Sequence, residues 1–164
     1  MMEAARVVVD LIDQERGVCA DLESVLQAER EALTTFSAEA VAGCVRRKDV
    51  LQGELALLVQ GRRHAVSVLA RELGVDAADG RVVPLLPHVP EPMARRLREA
   101  VSRLRQSLVR TRRLQRVNGA LINASLRLVG DLVQVYRQFV PGTQYDGRAA
   151  IRPGPTPDTL DHRA

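Results

Sequence analysis

Two long stretches near the start of the chain carry apolar residues at steps of three and four, the spacing of one helical face. From residue 3 to 36 the stripe is Val8, Leu11, Ile12, Val18, Cys19, Leu22, Val25, Leu26, Leu33 and Phe36. From 38 to 73 it is Val41, Cys44 or Val45, Leu51, Leu55, Leu58, Val66, Leu69 and Leu73. Each stripe is interrupted by charge at two places where an apolar residue belongs: Glu15 and Glu29 in the first, Lys48 and Arg62 in the second. Within each helix the two charges lie 14 residues apart, so both fall on one face. Folding the chain back near Ser37 sets Glu15 opposite Arg62 and Glu29 opposite Lys48. The pattern predicts an antiparallel hairpin whose register these pairs fix. Buried polar pairs add little net stability but penalise the wrong alignment. Exchanging Glu29 and Lys48 together should therefore rescue much of the damage done by either change alone.

Ser37 suits the N-cap of the second helix, with Glu39 in its first turn, and Gly74 suits its stop. Residues 75–92 read as a connection and not an element, because Gly80, Pro84, Pro87, Pro90 and Pro92 forbid a continuous helix. Val82, Val83, Leu85 and Leu86 are expected to lay this loop across the hairpin. A third helix spans 92–139 on the stripe Leu97, Val101, Leu104, Leu108, Leu114, Asn118, Leu121, Ile122, Ser125, Leu128, Leu132, Val135 or Tyr136, and Phe139. Asn118 reads as a buried amide contributing to register. Gly119 costs about 1 kcal/mol against Ala in a helix interior, which calls for a close helix approach or a partner backbone. From Leu121 onward the apolar residues cover more than one side: Leu121, Ile122, Leu126, Leu128, Val129, Leu132, Val133, Val135, Tyr136 and Phe139. That exceeds the roughly 100° stripe a single seam covers, so another chain is needed, either a second copy or a client helix. Residues 141–164 are rich in Pro and Gly and read as a flexible, disordered tail. Tyr145 within it either docks a partner or packs back on the third helix. The expected fold is all-α: a bundle over 1–140, built from a long helical hairpin and a long third helix in a three-helix, coiled-coil-like arrangement.

Composition agrees with an elongated helical core: 46% of residues are apolar but only 2% aromatic, and bundles fill with Leu, Val and Ala. The net charge of +4 is unevenly spread. Residues 1–80 carry 14 acids and 9 bases, and 81–164 carry 6 acids and 15 bases. Much of the excess lies in Arg95, Arg96, Arg98, Arg103, Arg105, Arg110, Arg112, Arg113 and Arg116, against the single acid Glu99. Arg96, Arg103 and Arg110 repeat every seven residues, as do Arg98, Arg105 and Arg112, making two ridges. They read as a solvated face that also pairs with the acidic hairpin, as a dock for an acidic protein, or as a nucleic-acid surface. With no aromatic between the arginines and no helix-turn-helix pattern, nucleic acid is the weakest of the three. Cys19 and Cys44 do not face each other in the hairpin register, so free thiols and a reducing compartment are expected. The N-terminus lacks a signal peptide's apolar core, and no run approaches the ~18 apolar residues of a membrane span. A soluble, cytoplasmic protein is expected.

Catalytic patterns are missing. His64, His88 and His162 are scattered, and no Cys-x-x-Cys, phosphate loop or nucleophile elbow occurs. Glu15 and Glu29 would sit about 21 Å apart along a helix, too far to act as an acid–base pair. The expectation is a non-enzyme with no metal, no cofactor and no small-molecule substrate.

The order Ala28-Glu29 with Leu33, then Lys48 with Leu51, then Asn118-Gly119-x-Leu121-Ile122, then Tyr145 near Gly147 resembles the FlgN family of flagellar type III export chaperones. The resemblance covers about residues 5–148 and excludes the Pro-rich loop and the tail beyond Arg148. It implies a non-enzymatic cytoplasmic chaperone. Such a chaperone holds the C-terminal segments of hook-associated (hook–filament junction) proteins, prevents premature assembly and delivers them to the membrane export gate. It also implies that the client surface is Leu121, Ile122, Leu126, Leu128, Val129, Leu132, Val133, Tyr136 and Phe139, and that Tyr145 docks on the gate. Two alternatives stay open: a homo-oligomeric (for instance homodimeric) helical structural or interaction protein, and an Arg-rich nucleic-acid-binding helical protein.

Overall fold

A computed structural model describes residues 2–76 and 80–139 and, as backbone, 144–145 and 151–152. The chain divides into two units, Met1–Leu121 and Ile122–Ala164. In the first, α1 (Met2–Thr34) and α2 (Ala38–Leu73) form the hairpin, followed by a short 3-10 helix (Val83–His88) and the start of α3 (Glu91–Phe139). In the second, α3 continues, and Gln144–Tyr145 pairs antiparallel with Ile151–Arg152. The rest of the tail lies outside the described residues, as does its expected disorder. Apart from that two-residue ladder, the described fold is all-α.

The hairpin turn is tighter than the apolar stripe suggests. The Thr34 and Thr35 hydroxyls donate back to Glu31 O at 2.8 and 2.9 Å, competing with the next helical turn. Phe36 then takes a left-handed conformation, φ 54°, and the N–H of Ser37 reaches Ala32 O at 2.9 Å. These contacts make the closing bond of a Schellman cap with Phe36 where glycine usually sits. Phe36, expected in the stripe, is instead 72% exposed. Ser37 caps α2, its Oγ accepting from the N–H of Ala40. Gly74, left-handed at φ 67°, ends α2.

The connection after α2, expected to hold no element, contains a short 3-10 helix. Pro84 falls at the start of the 3-10 helix, where a missing N–H costs nothing, and Pro87 lies within it. Val82 and Leu85 are buried and anchor this segment on the core, whereas Val83 points outward, 63% exposed. Gly80 lets the chain pass close to α2. A Cβ there would stand 2.9 Å from Arg63 Cγ, and its φ of 62° also favours glycine.

The main core joins Ala5, Val8, Ile12 and Cys19 of α1 to Ala65, Val66, Leu69 and Ala70 of α2, and both to Leu85, Met93, Leu97, Ala100 and Leu104. A second cluster, Val18, Leu22, Val25 and Leu51, lies inside the hairpin. The seam of α3 is rotated from the expected stripe. Its buried positions are Met93, Ala94, Leu97, Ala100, Leu104, Ser107, Thr111 and Asn118. Small and polar residues at heptad spacing thus face α1, while Val101 and Leu108 fall to the side of the seam, half-buried. The stripe also fails to continue past Ile122: Leu128, Leu132, Val135, Tyr136 and Phe139 are all exposed.

Candidate functional site

The four charges that interrupt the stripes meet as two ion pairs. Arg62 Nε donates to Glu15 Oε1 at 2.6 Å, and Lys48 Nζ to Glu29 Oε1 at 2.5 Å. Both carboxylates are buried, and both cations keep about a fifth of their side chains exposed. Geometry of this kind satisfies the carboxylates but carries the cost of desolvating them. Burial raises the Glu15 carboxyl above its ordinary range, and the hydrogen bond and charge of Arg62 only partly offset it. Burial likewise raises the Cys19 thiol, with Glu15 and Glu23 adding to the effect, so this cysteine is an inert core residue. Cys19 and Cys44 are both free thiols.

Glu29 is also the junction with α3. Asn118 Nδ2 donates to Glu29 Oε2 at 2.9 Å and to Leu26 O at 2.8 Å, so one carboxylate links α1, α2 and α3. With Nδ2 committed to two acceptors, the amide cannot be flipped, and Asn118 Oδ1 has no hydrogen-bond partner among the described residues. Gly119 beside it is not a close-packing site, since an added Cβ would meet nothing within 4 Å. A second tie, which the periodicity did not suggest, is Glu23. Its carboxylate accepts from Ser107 Oγ at 3.3 Å and from Arg110 Nε at 3.1 Å. These ties place successive residues of α3 along successive residues of α1, so the two helices run parallel. The signal for Glu23 was present only as the polar heptad positions Ser107, Thr111 and Asn118, which read as gaps in an apolar stripe.

All nine arginines between 95 and 116 are exposed. Arg110 pairs with Glu23 on the hairpin, and Arg98 pairs with Glu91 on its own helix at 3.1 Å. The Arg98 guanidinium holds the exposed Glu91 carboxyl below its usual range.

Of the residues expected to bind a client, Leu121 and Ile122 are half-buried. Leu126, Leu128, Val129, Leu132, Val133, Tyr136 and Phe139 are exposed, Leu132 at 59% and Phe139 at 79%. With Val135, eight large apolar side chains on one 14-residue stretch form a far more concentrated surface than scattered exposed leucines. The side chain of Tyr145 lies outside the described residues. Among the described residues no group of His, Cys, Asp and Glu could hold a metal ion, and no helix is long and apolar enough to cross a membrane.

Comparison with known proteins gives one family match: the model of the FlgN protein family covers residues 1–151, most of the chain. No curated protein and no solved structure was found to match it.

Proposed function

The chain belongs to the FlgN family of flagellar export chaperones, and from that premise we propose that it binds the C-terminal segments of hook-associated proteins in the cytoplasm. It then prevents their early assembly and delivers them to the export gate. The observation that carries this reading is the exposed apolar run from Leu126 to Phe139. A helix that stops being amphipathic and becomes apolar on several sides, without a described neighbour covering it, suits the capture of an amphipathic client helix. Leu128 and Leu132 supply the centre of that surface, with Tyr136 and Phe139 as aromatic anchors. Ion pairs and the Asn118 bond hold α3 on the hairpin up to the point where the surface begins. Tyr145 is the residue assigned to gate docking, on the family resemblance alone.

The test is calorimetric titration with C-terminal peptides of the same organism's hook-associated proteins. One-to-one saturable binding is expected, abolished by Leu128→Asp or Leu132→Asp with the helical circular dichroism signal intact. Loss of folding in these variants, or unchanged affinity, contradicts the assignment. Tyr145→Ala should impair binding to the gate protein and leave peptide affinity unchanged; weakened peptide binding would refute that division of labour.

A further inference from the structure

Two apolar residues at the edge of the α3 seam, Val101 and Leu108, pack against the main core but stay only half-buried. Val101 and Leu108, displaced to the side, form walls of a pocket of about 270 Å³ together with Leu104, Ile12 of α1 and Val82 and Val83 of the connection. Arg62, Arg81 and Arg105 complete its lining. Along α3 the lining residues Val101, Arg105 and Leu108 continue at steps of three and four to Arg112, and on the other side to Arg98, which is paired with Glu91.

The pocket is pre-formed. Val82 in its lining and Leu85 nearby in the chain are buried, and prolines 84 and 87 stiffen the 3-10 turn. Arg62 Nη1 donates to Gly80 O at 3.4 Å, tying the connection to α2. That rigid turn holds Val83 outward at the rim. An exposed β-branched residue on a rigid turn, beside an apolar recess and a row of arginines, has no explanation in the stability of the fold.

We propose that this pocket, with Arg105 at its wall and Arg112 one helical turn beyond Leu108, forms a second docking surface, for an acidic amphipathic segment of a protein partner. One or two apolar side chains would enter the recess, and flanking carboxylates would meet the guanidinium forks. The size supports a side-chain anchor, because the recess lies just below the ~300 Å³ at which sites for whole small ligands begin. Charge complementarity selects an acidic partner, and the aliphatic walls favour a peptide over a nucleic acid, whose contacts are phosphates and stacked bases. This surface lies wholly within residues 1–121 and is independent of the client surface proposed above.

The experiment is fluorescence anisotropy of the full chain with a labelled helical peptide carrying Leu at steps of three and four and Glu elsewhere. A peptide with Ser for each Leu, a peptide with Lys for each Glu, and a labelled DNA duplex serve as comparisons. Arg105→Glu and Val83→Asp alter exposed side chains and should leave the thermal melt unchanged. Saturable binding of the Leu/Glu peptide is expected in a chain carrying Leu132→Asp, which removes the proposed client surface, and is weakened there roughly tenfold or more by each substitution and by Ser for Leu. Equal binding of the Ser peptide or tighter binding of the duplex would show a general polyanion face and overturn the proposal. So would an unaltered affinity in Val83→Asp, or no binding of the Leu/Glu peptide.

Discussion

At the residue scale, the two ion pairs look equivalent in the sequence and differ in the structure. Glu15 has one partner, Arg62, whereas Glu29 serves both Lys48 and Asn118. Removing one cation, as in Arg62→Met or Lys48→Met, leaves a buried carboxylate unpaired and should lower unfolding free energy by about 3 kcal/mol. The charge exchanges should then diverge. Glu15→Arg with Arg62→Glu should recover most of the loss. Glu29→Lys with Lys48→Glu should recover less, because it sets an ammonium against Asn118 Nδ2, which is already a donor. Equal recovery in urea denaturation would show that the Asn118 bond contributes nothing. The raised pKa of Glu15 gives a signed pH effect. Its contribution is full below the unfolded value and is lost as pH rises through the folded value, since the unfolded state ionises first. Wild type should therefore lose ground against Glu15→Gln as pH is raised from 4. Glu91, lowered by Arg98, acts in the opposite sense: its contribution is present above the unfolded value and fades in acid. A Glu15→Gln difference that grew with pH would mean that the Arg62 bond outweighs burial. Phe36 offers a simpler test. In a left-handed position with its ring exposed, Phe36→Gly should gain about 1 kcal/mol.

At the scale of elements, Gly119 is the clearest experiment. No neighbour occupies the space of its missing Cβ, so Gly119→Ala should stabilise α3 by about 1 kcal/mol. A thermal melt that fell would imply a packing constraint not visible among the described residues. Reading elements from the sequence worked where one physical signal dominated. The hairpin was legible because two buried charge pairs repeat at the heptad distance, and Ser37 and Gly74 punctuate it. The first helix was drawn too long because apolar periodicity cannot register two threonine hydroxyls turning back on Glu31. The seam of α3 was placed only in part: Leu97, Leu104 and Asn118 are buried as expected, but Ser107 and Thr111 are buried too, while the more apolar Val101 and Leu108 are only half-buried. Hydrophobicity alone points to the latter pair, and the hydrogen bonds of Glu23 and the small size of the seam residues decide for the former. The 3-10 turn was hidden by its own prolines, which forbid an α-helix but suit a single tight turn.

For the molecule as a whole, the buried core and the exposed apolar run fall in different stretches of the chain. Residues 1–121 carry the buried core and all the interhelical polar ties described, and α3 from 122 onward carries the exposed apolar run. On the proposed function, residues 1–121 must be stable without the client, and the run from 122 onward must lack partners until the client arrives. The central claim is tested most directly by hydrogen–deuterium exchange of the full chain, alone and with a hook-associated C-terminal peptide. The prediction is strong protection in α1, in α2 and in α3 up to Asn118 in both states, with weak protection over residues 122–139 that rises sharply when the peptide is bound. Full protection of 122–139 in the free chain, or a peptide footprint confined to residues 1–121, would contradict the account.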